Sequence, residues 1–101
     1  RDYIYIDDVC EGIKICLDKA PVNQIVNIGS GSPSRFLDII DKTIKKTNSK
    51  SKIINIEPSK FHNIVQVRHS YLDTAKIKKY GFEPKNDMND ILDKLIQHYK
   101  A

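Results

Sequence analysis

Short β-branched runs alternate with stretches of helical periodicity along this chain, and that alternation constrains the fold more than any single residue does. Asp2-Tyr3-Ile4-Tyr5-Ile6 and Gln24-Ile25-Val26-Asn27-Ile28 each read as a strand. So does Lys52 to Glu57, with Ile53, Ile54 and Ile56 at its centre and Pro58 as its stop. The order strand, helix, strand, helix, strand, with helices after it, is an α/β pattern. The reading is therefore a few short strands with about four helices.

The first helix is expected to start near Val9, because Asp8 and Glu11 stand in the spacing of a capping box. Val9, Ile13, Cys16, Leu17 and Ala20 supply its apolar stripe, Ile15 falls off that stripe, and Pro21 stops the helix. A second helix, from about Arg35 to Lys46, follows the turn Gly29-Ser30-Gly31-Ser32-Pro33-Ser34, with Pro33 or Ser34 in its first positions. Phe36, Leu37, Ile40 and Ile44 make its buried face. Residues 47–52 form a polar connector too short to divide two domains. The stretch from Ser59 to His69 looks extended at Ile64-Val65-Gln66-Val67. Asp73 caps a short helix through Tyr80, and Gly81 terminates it as a left-handed C-cap. The last helix, Met88 to Tyr99, carries the best amphipathic signal: its apolar residues lie on an arc of about 140°.

With 101 residues the chain has the span of one small domain, and it is too apolar to be disordered. No apolar stretch approaches the roughly 20 residues that cross a bilayer, so no membrane partner is expected. Cys10 and Cys16 point about 120° apart on a helix, which makes a disulfide between them implausible. Two free thiols, read as core packing, suit a reducing, cytoplasmic compartment. The chain opens on Arg1 inside a strand, without a start methionine, and this suggests a fragment of something longer.

A net charge of +4 raises nucleic-acid binding as one hypothesis. Only Lys42, Lys45, Lys46, Lys50 and Lys52 cluster, at a helix end and its loop, and arginine occurs only at Arg1, Arg35 and Arg68. No aromatic ladder interleaves with the basic residues, so no nucleic-acid partner is expected. The turn at Gly29 to Ser34 lacks the Gly-x-Gly-x-x-Gly spacing of a phosphate loop, and relief of backbone strain explains its glycines at least as well. His62, His69 and His98 show no metal-ligand spacing, so no metal is expected; a ligand role stays open for His62 and His69.

Three motifs in order resemble one family. Arg1-Asp2-Tyr3-Ile4-Tyr5-Ile6-Asp7-Asp8-Val9 resembles the Arg-Asp-(Tyr/Phe)-(Ile/Val)-(His/Tyr)-Val-x-Asp signature of extended short-chain dehydrogenase/reductases, the NAD-dependent nucleotide-sugar epimerases and dehydratases. Asn27-Ile28-Gly29-Ser30-Gly31 is similar to the family's Asn-Ile-Gly-Ser-Gly. Asp73-Thr74-Ala75-Lys76 and then Tyr80-Gly81-Phe82-Glu83-Pro84 resemble its Asp-x-Ser-Lys … Leu-Gly-(Trp/Phe)-x-Pro ending.

The resemblance implies that residues 1–101 are the C-terminal nucleotide-sugar-binding portion of a longer Rossmann-type enzyme. The dinucleotide loop that holds NAD and the Tyr-x-x-x-Lys catalytic pair would then lie in an absent N-terminal domain, and this chain alone would be catalytically silent. The intact enzyme, a homodimer, would act through a 4-keto sugar as a 4-epimerase or 4,6-dehydratase in surface polysaccharide synthesis. Alternatives are a non-catalytic nucleotide-sugar-binding module and, behind it, a small basic nucleic-acid-binding domain. Arg1 matches the family arginine that contacts the substrate pyrophosphate, as a bidentate, permanently charged guanidinium can. The family's Arg-x-Gly-Asp element is absent between Phe61 and His69, where Arg68 is the candidate second cation and a structural salt bridge the alternative. Asp73 and Lys76 are more simply a helix cap and a surface charge.

Overall fold

Five helices form in the computed structural model, which describes residues 1–67 and 69–100: α1 (Ile6–Lys19), α2 (Phe36–Thr47), α3 (Lys60–Val65), α4 (Ala75–Lys78) and α5 (Met88–Tyr99). The three runs read as strands make no ladder with one another among the described residues. The pairing there is one isolated antiparallel bridge, Asp2 to Pro33.

The core is small. Ile77, Phe82, Ile91 and Leu92 are buried, whereas Ile25, Ile54 and Ile56 are each at least 80% exposed. A compact chain of this length has a radius of gyration near 13 Å; here it is 16.7 Å, in a slab of 48 × 38 × 19 Å. The buried residues lie on α4 (Ile77), in the loop after it (Phe82) and on α5 (Ile91 and Leu92), with Asp8 and Gly12 of α1.

Helix α1 starts three residues earlier than the capping-box reading places it, and its N-cap Tyr5 gives no side-chain hydrogen bond. Asp8 does not cap the helix at all. It is 2% exposed and accepts from Lys85 N (3.0 Å), Asn86 N (3.2 Å) and Asn86 Nδ2 (3.0 Å), so its carboxylate holds the loop that leads into α5. The buried face of α1 runs through Asp8 and Gly12 rather than along the expected stripe, where Ile13 and Leu17 are exposed. Gly12 is the reason. A Cβ there would meet Ile28 Cγ2 at 2.8 Å and Phe82 Cε2 at 3.4 Å, so the bare backbone lets Phe82 close onto the helix. The cysteines follow this rotation: Cys10 is exposed and Cys16 half-buried, and neither is a core residue.

Helix α2 begins at Phe36, so Pro33 and Ser34 precede it, and none of its residues is fully buried. Its C-cap Asn48 adopts φ 52°, a left-handed conformation that asparagine tolerates. The 64–67 stretch is not extended throughout: Ile64 and Val65 end α3, which Ser59 initiates by accepting from His62 N. The serine after Pro58 outweighs the β-branched pair because a cap satisfies a helix donor directly. Around α4 the sequence reading holds only in part: the helix is a single turn that ends at Lys78 rather than Tyr80, and Thr74, not Asp73, stands at its N-cap, although Asp73 Oδ1 accepts from Ala75 N (2.9 Å) and Gly81 takes φ +89°. Helix α5 forms over the expected residues behind a capping box of Asp87 and Asp90, with Ile91 and Leu92 buried.

Candidate functional site

The first residues are pinned to the turn before α2. Ser34 N donates to Arg1 O (2.8 Å) and Arg1 N donates to Ser34 O (2.9 Å), beside the Asp2–Pro33 bridge. The Asp2 carboxylate then fills the Gly-Ser turn. It accepts from Ser30 N (2.8 Å), Ser30 Oγ (2.6 Å), Gly31 N (3.0 Å) and Leu72 N (3.2 Å). Burial pushes this carboxyl up, but those donors outweigh it and hold Asp2 below the usual carboxylate range. Gly31, at φ +69°, lies so close to Thr74 that a Cβ would sit 2.6 Å from Thr74 Oγ1. The turn is thus a cradle for an internal anion. That arrangement does not fit the phosphates of a dinucleotide cofactor.

Pinning Arg1 to Ser34 places it beside Arg35, the N-cap residue of α2. Both line a cleft of about 580 Å³ whose far side carries His69 and Tyr71. Phe36, Leu37 and Val67 give it an apolar wall. No aspartate or glutamate is among its lining residues, and neither guanidinium has an ion-pair partner among the described residues. An apolar hollow with a few converging cations suits an organic anion. Phe36 and Leu37 also border a larger groove, about 990 Å³, between α2 and the 51–59 segment.

Of the residues singled out from sequence, Arg1 lies on this cleft and Arg68 falls outside the described residues. Lys76 is a tie rather than a free charge: its Nζ donates to Ile25 O (2.9 Å). His62 is held by Ser59, with Nδ1 and Oγ 2.8 Å apart, whereas His69 lines the cleft. Sequence reasoning passed over Arg35. Its signal was an arginine at the start of a helix where serine, threonine or aspartate would cap. Among the described residues, no His, Cys, Asp or Glu cluster is arranged to hold a metal ion, and no helix is long and apolar enough to cross a membrane.

Comparison with known proteins points to nucleotide-sugar chemistry. The chain is 30% identical, over 98% of its length, to a trifunctional UDP-glucose 4,6-dehydratase/UDP-4-keto-6-deoxy-D-glucose 3,5-epimerase/UDP-4-keto-L-rhamnose-reductase of Arabidopsis thaliana, covering 15% of that protein. It is 25% identical, over 99% of its length, to a putative UDP-glucose 4-epimerase of Methanocaldococcus jannaschii, covering 31% of it. A dTDP-glucose 4,6-dehydratase of an Actinoplanes strain matches all of this chain at 24% identity and is covered to 31%. The chain therefore spans less than a third of the length of these relatives. No family model matches it, and no solved structure does. These likenesses support a general kinship with nucleotide-sugar dehydratases and epimerases.

Proposed function

We propose that this chain is the substrate-binding portion of an NAD-dependent nucleotide-sugar epimerase or dehydratase of the extended short-chain dehydrogenase/reductase type. The observation that carries the reading is the cleft at Arg1: the main chain of Arg1 is held to Ser34 by two hydrogen bonds, and its side chain, without an acidic partner among the described residues, lines a hollow with an apolar wall. The relatives named above, which act on UDP- and dTDP-sugars by name, supply the ligand class. In this reading the sugar is processed through a 4-keto intermediate by groups outside this chain. NAD is held there too, since the Gly-Ser turn is already filled by Asp2.

The same reading treats the exposed isoleucine runs as strands of an α/β sheet completed by a dinucleotide-binding domain outside residues 1–101. The intact protein would act as a cytoplasmic homodimer. Arg1 binds the substrate diphosphate, and Arg68 is the second candidate for it. Titration calorimetry with UDP-glucose tests the assignment. Arg1→Ala should weaken binding by about 1–3 kcal/mol, the scale of a lost charge-assisted hydrogen bond. Unchanged affinity would remove Arg1 from the site.

A further inference from the structure

Arg35 stands where helix chemistry gains least from it. Its backbone is extended (φ −78°, ψ 135°) at the N-cap of α2, and its side chain makes no capping hydrogen bond. The first turn of a helix leaves its N–H groups without intrahelical partners, and a serine or aspartate would satisfy one of them. Asp38, in that first turn, offsets part of the helix dipole but does not line the cleft. Arg35 has no hydrogen bond or ion pair through its side chain among the described residues, and Arg1 has none either.

The two arginines nevertheless share one cleft. The Ser34–Arg1 pairing and the single peptide step from Ser34 to Arg35 put their Cα atoms within about 9 Å. Both guanidiniums are permanently charged, and a diphosphate supplies two phosphoryl groups for two such side chains on one cleft to share. Phe36, 63% exposed, and Tyr71, 59% exposed, present aromatic surface on the same cleft. A flat, uncharged ring system is the natural occupant of such a wall.

We propose that Arg35 is a second diphosphate-binding residue, so that a nucleoside diphosphate lies across Arg1 and Arg35 with its base against Phe36 and Tyr71. This rests on the reading of the cleft as a nucleotide-sugar site and adds to it a residue and the seat of the nucleoside. Calorimetry on the full chain with UDP, UMP, uridine and inorganic pyrophosphate tests it. The side chains concerned are exposed, and circular dichroism verifies that each variant keeps its helices. Arg35→Ala should weaken UDP at least tenfold and reduce the preference for UDP over UMP, with Arg35→Lys recovering only part of the loss. Phe36→Ala should weaken UDP and uridine but leave pyrophosphate unchanged. If Arg35→Ala leaves the UDP/UMP preference intact while Arg1→Ala weakens UDP, the Arg35 assignment is overturned and the cleft reading stands. If Phe36→Ala weakens pyrophosphate as much as UDP, the base does not lie on that wall. If the unaltered chain binds neither UDP nor UDP-glucose, the underlying reading fails with it.

Discussion

Replacing Asp8 by asparagine should destabilise the fold strongly at neutral pH and hardly at all in acid. The carboxylate accepts two backbone N–H groups and one amide N–H from residues 85–86 while almost wholly buried. An asparagine of the same shape offers one acceptor oxygen, and its own N–H₂ then faces a donor. Losing one bond to a charged acceptor and leaving a donor unpaired costs about 2–3 kcal/mol. With a urea dependence of about 1–3 kcal/mol per molar, the unfolding midpoint should fall by roughly 0.7–3 M.

The pH signature separates charge from shape. Burial pushes the Asp8 carboxyl up, yet the Asn86 side chain, the Lys85 and Asn86 backbone donors and the Lys94 charge together hold it below the usual range. The unfolded chain therefore takes up the proton first. The stabilisation is complete above about pH 4, near the pKa of a free aspartate, and fades as pH drops through the lower folded value. Asparagine does not titrate, and Asp2 is common to both proteins, so the gap between them should close toward pH 2. Urea melts followed by circular dichroism at pH 7, 4, 3 and 2 measure it. Equal stability at pH 7, or a gap that persists unchanged at pH 2, would refute the reasoning.

Two glycines with positive φ make a second comparison. Gly31→Ala, with backbone strain and a collision at Thr74 Oγ1, should cost about 2–3 kcal/mol in the same melts, whereas Gly81→Ala, whose nearest obstacle is the mobile end of Lys19 at 3.8 Å, should cost only about 1 kcal/mol. A reversed order would contradict the packing at Thr74. Lys46→Ala removes the 2.7 Å ion pair that links α2 to Asp93 on α5, yet Asp93 is 62% exposed. Solvent screening limits the loss to about 0–1 kcal/mol, and it should shrink further in 1 M salt.

Helices were legible where several local signals agreed. Helix α5 could be read because its apolar arc is broad, and Gly81 because a left-handed stop has few residues to choose from. The face of α1 was misread for a reason periodicity cannot express: its packing contact is made by a glycine and a buried carboxylate, not by apolar residues. Asp8 was assigned a local partner, Glu11, when its partners lie 77 and 78 residues away. Helix α3 was hidden by its β-branched Ile64-Val65, although Ser59 after Pro58 carried the start signal. At the cleft, the motif around Arg1 drew notice to that residue. Arg35 became visible only when the Ser34 pairing brought the two ends of the turn together.

The bonds at Asp2 bear on how the chain assembles. Its carboxylate joins residue 2 to residues 30 and 31 and to residue 72, separations of 28, 29 and 70 positions. Helices of a dozen residues close in about a microsecond from neighbouring contacts alone, whereas ends so distant must first be brought together by chain diffusion. The hydrogen bonds at Asp2 are therefore expected to form after the helices. Substitutions there should accelerate unfolding far more than they slow refolding.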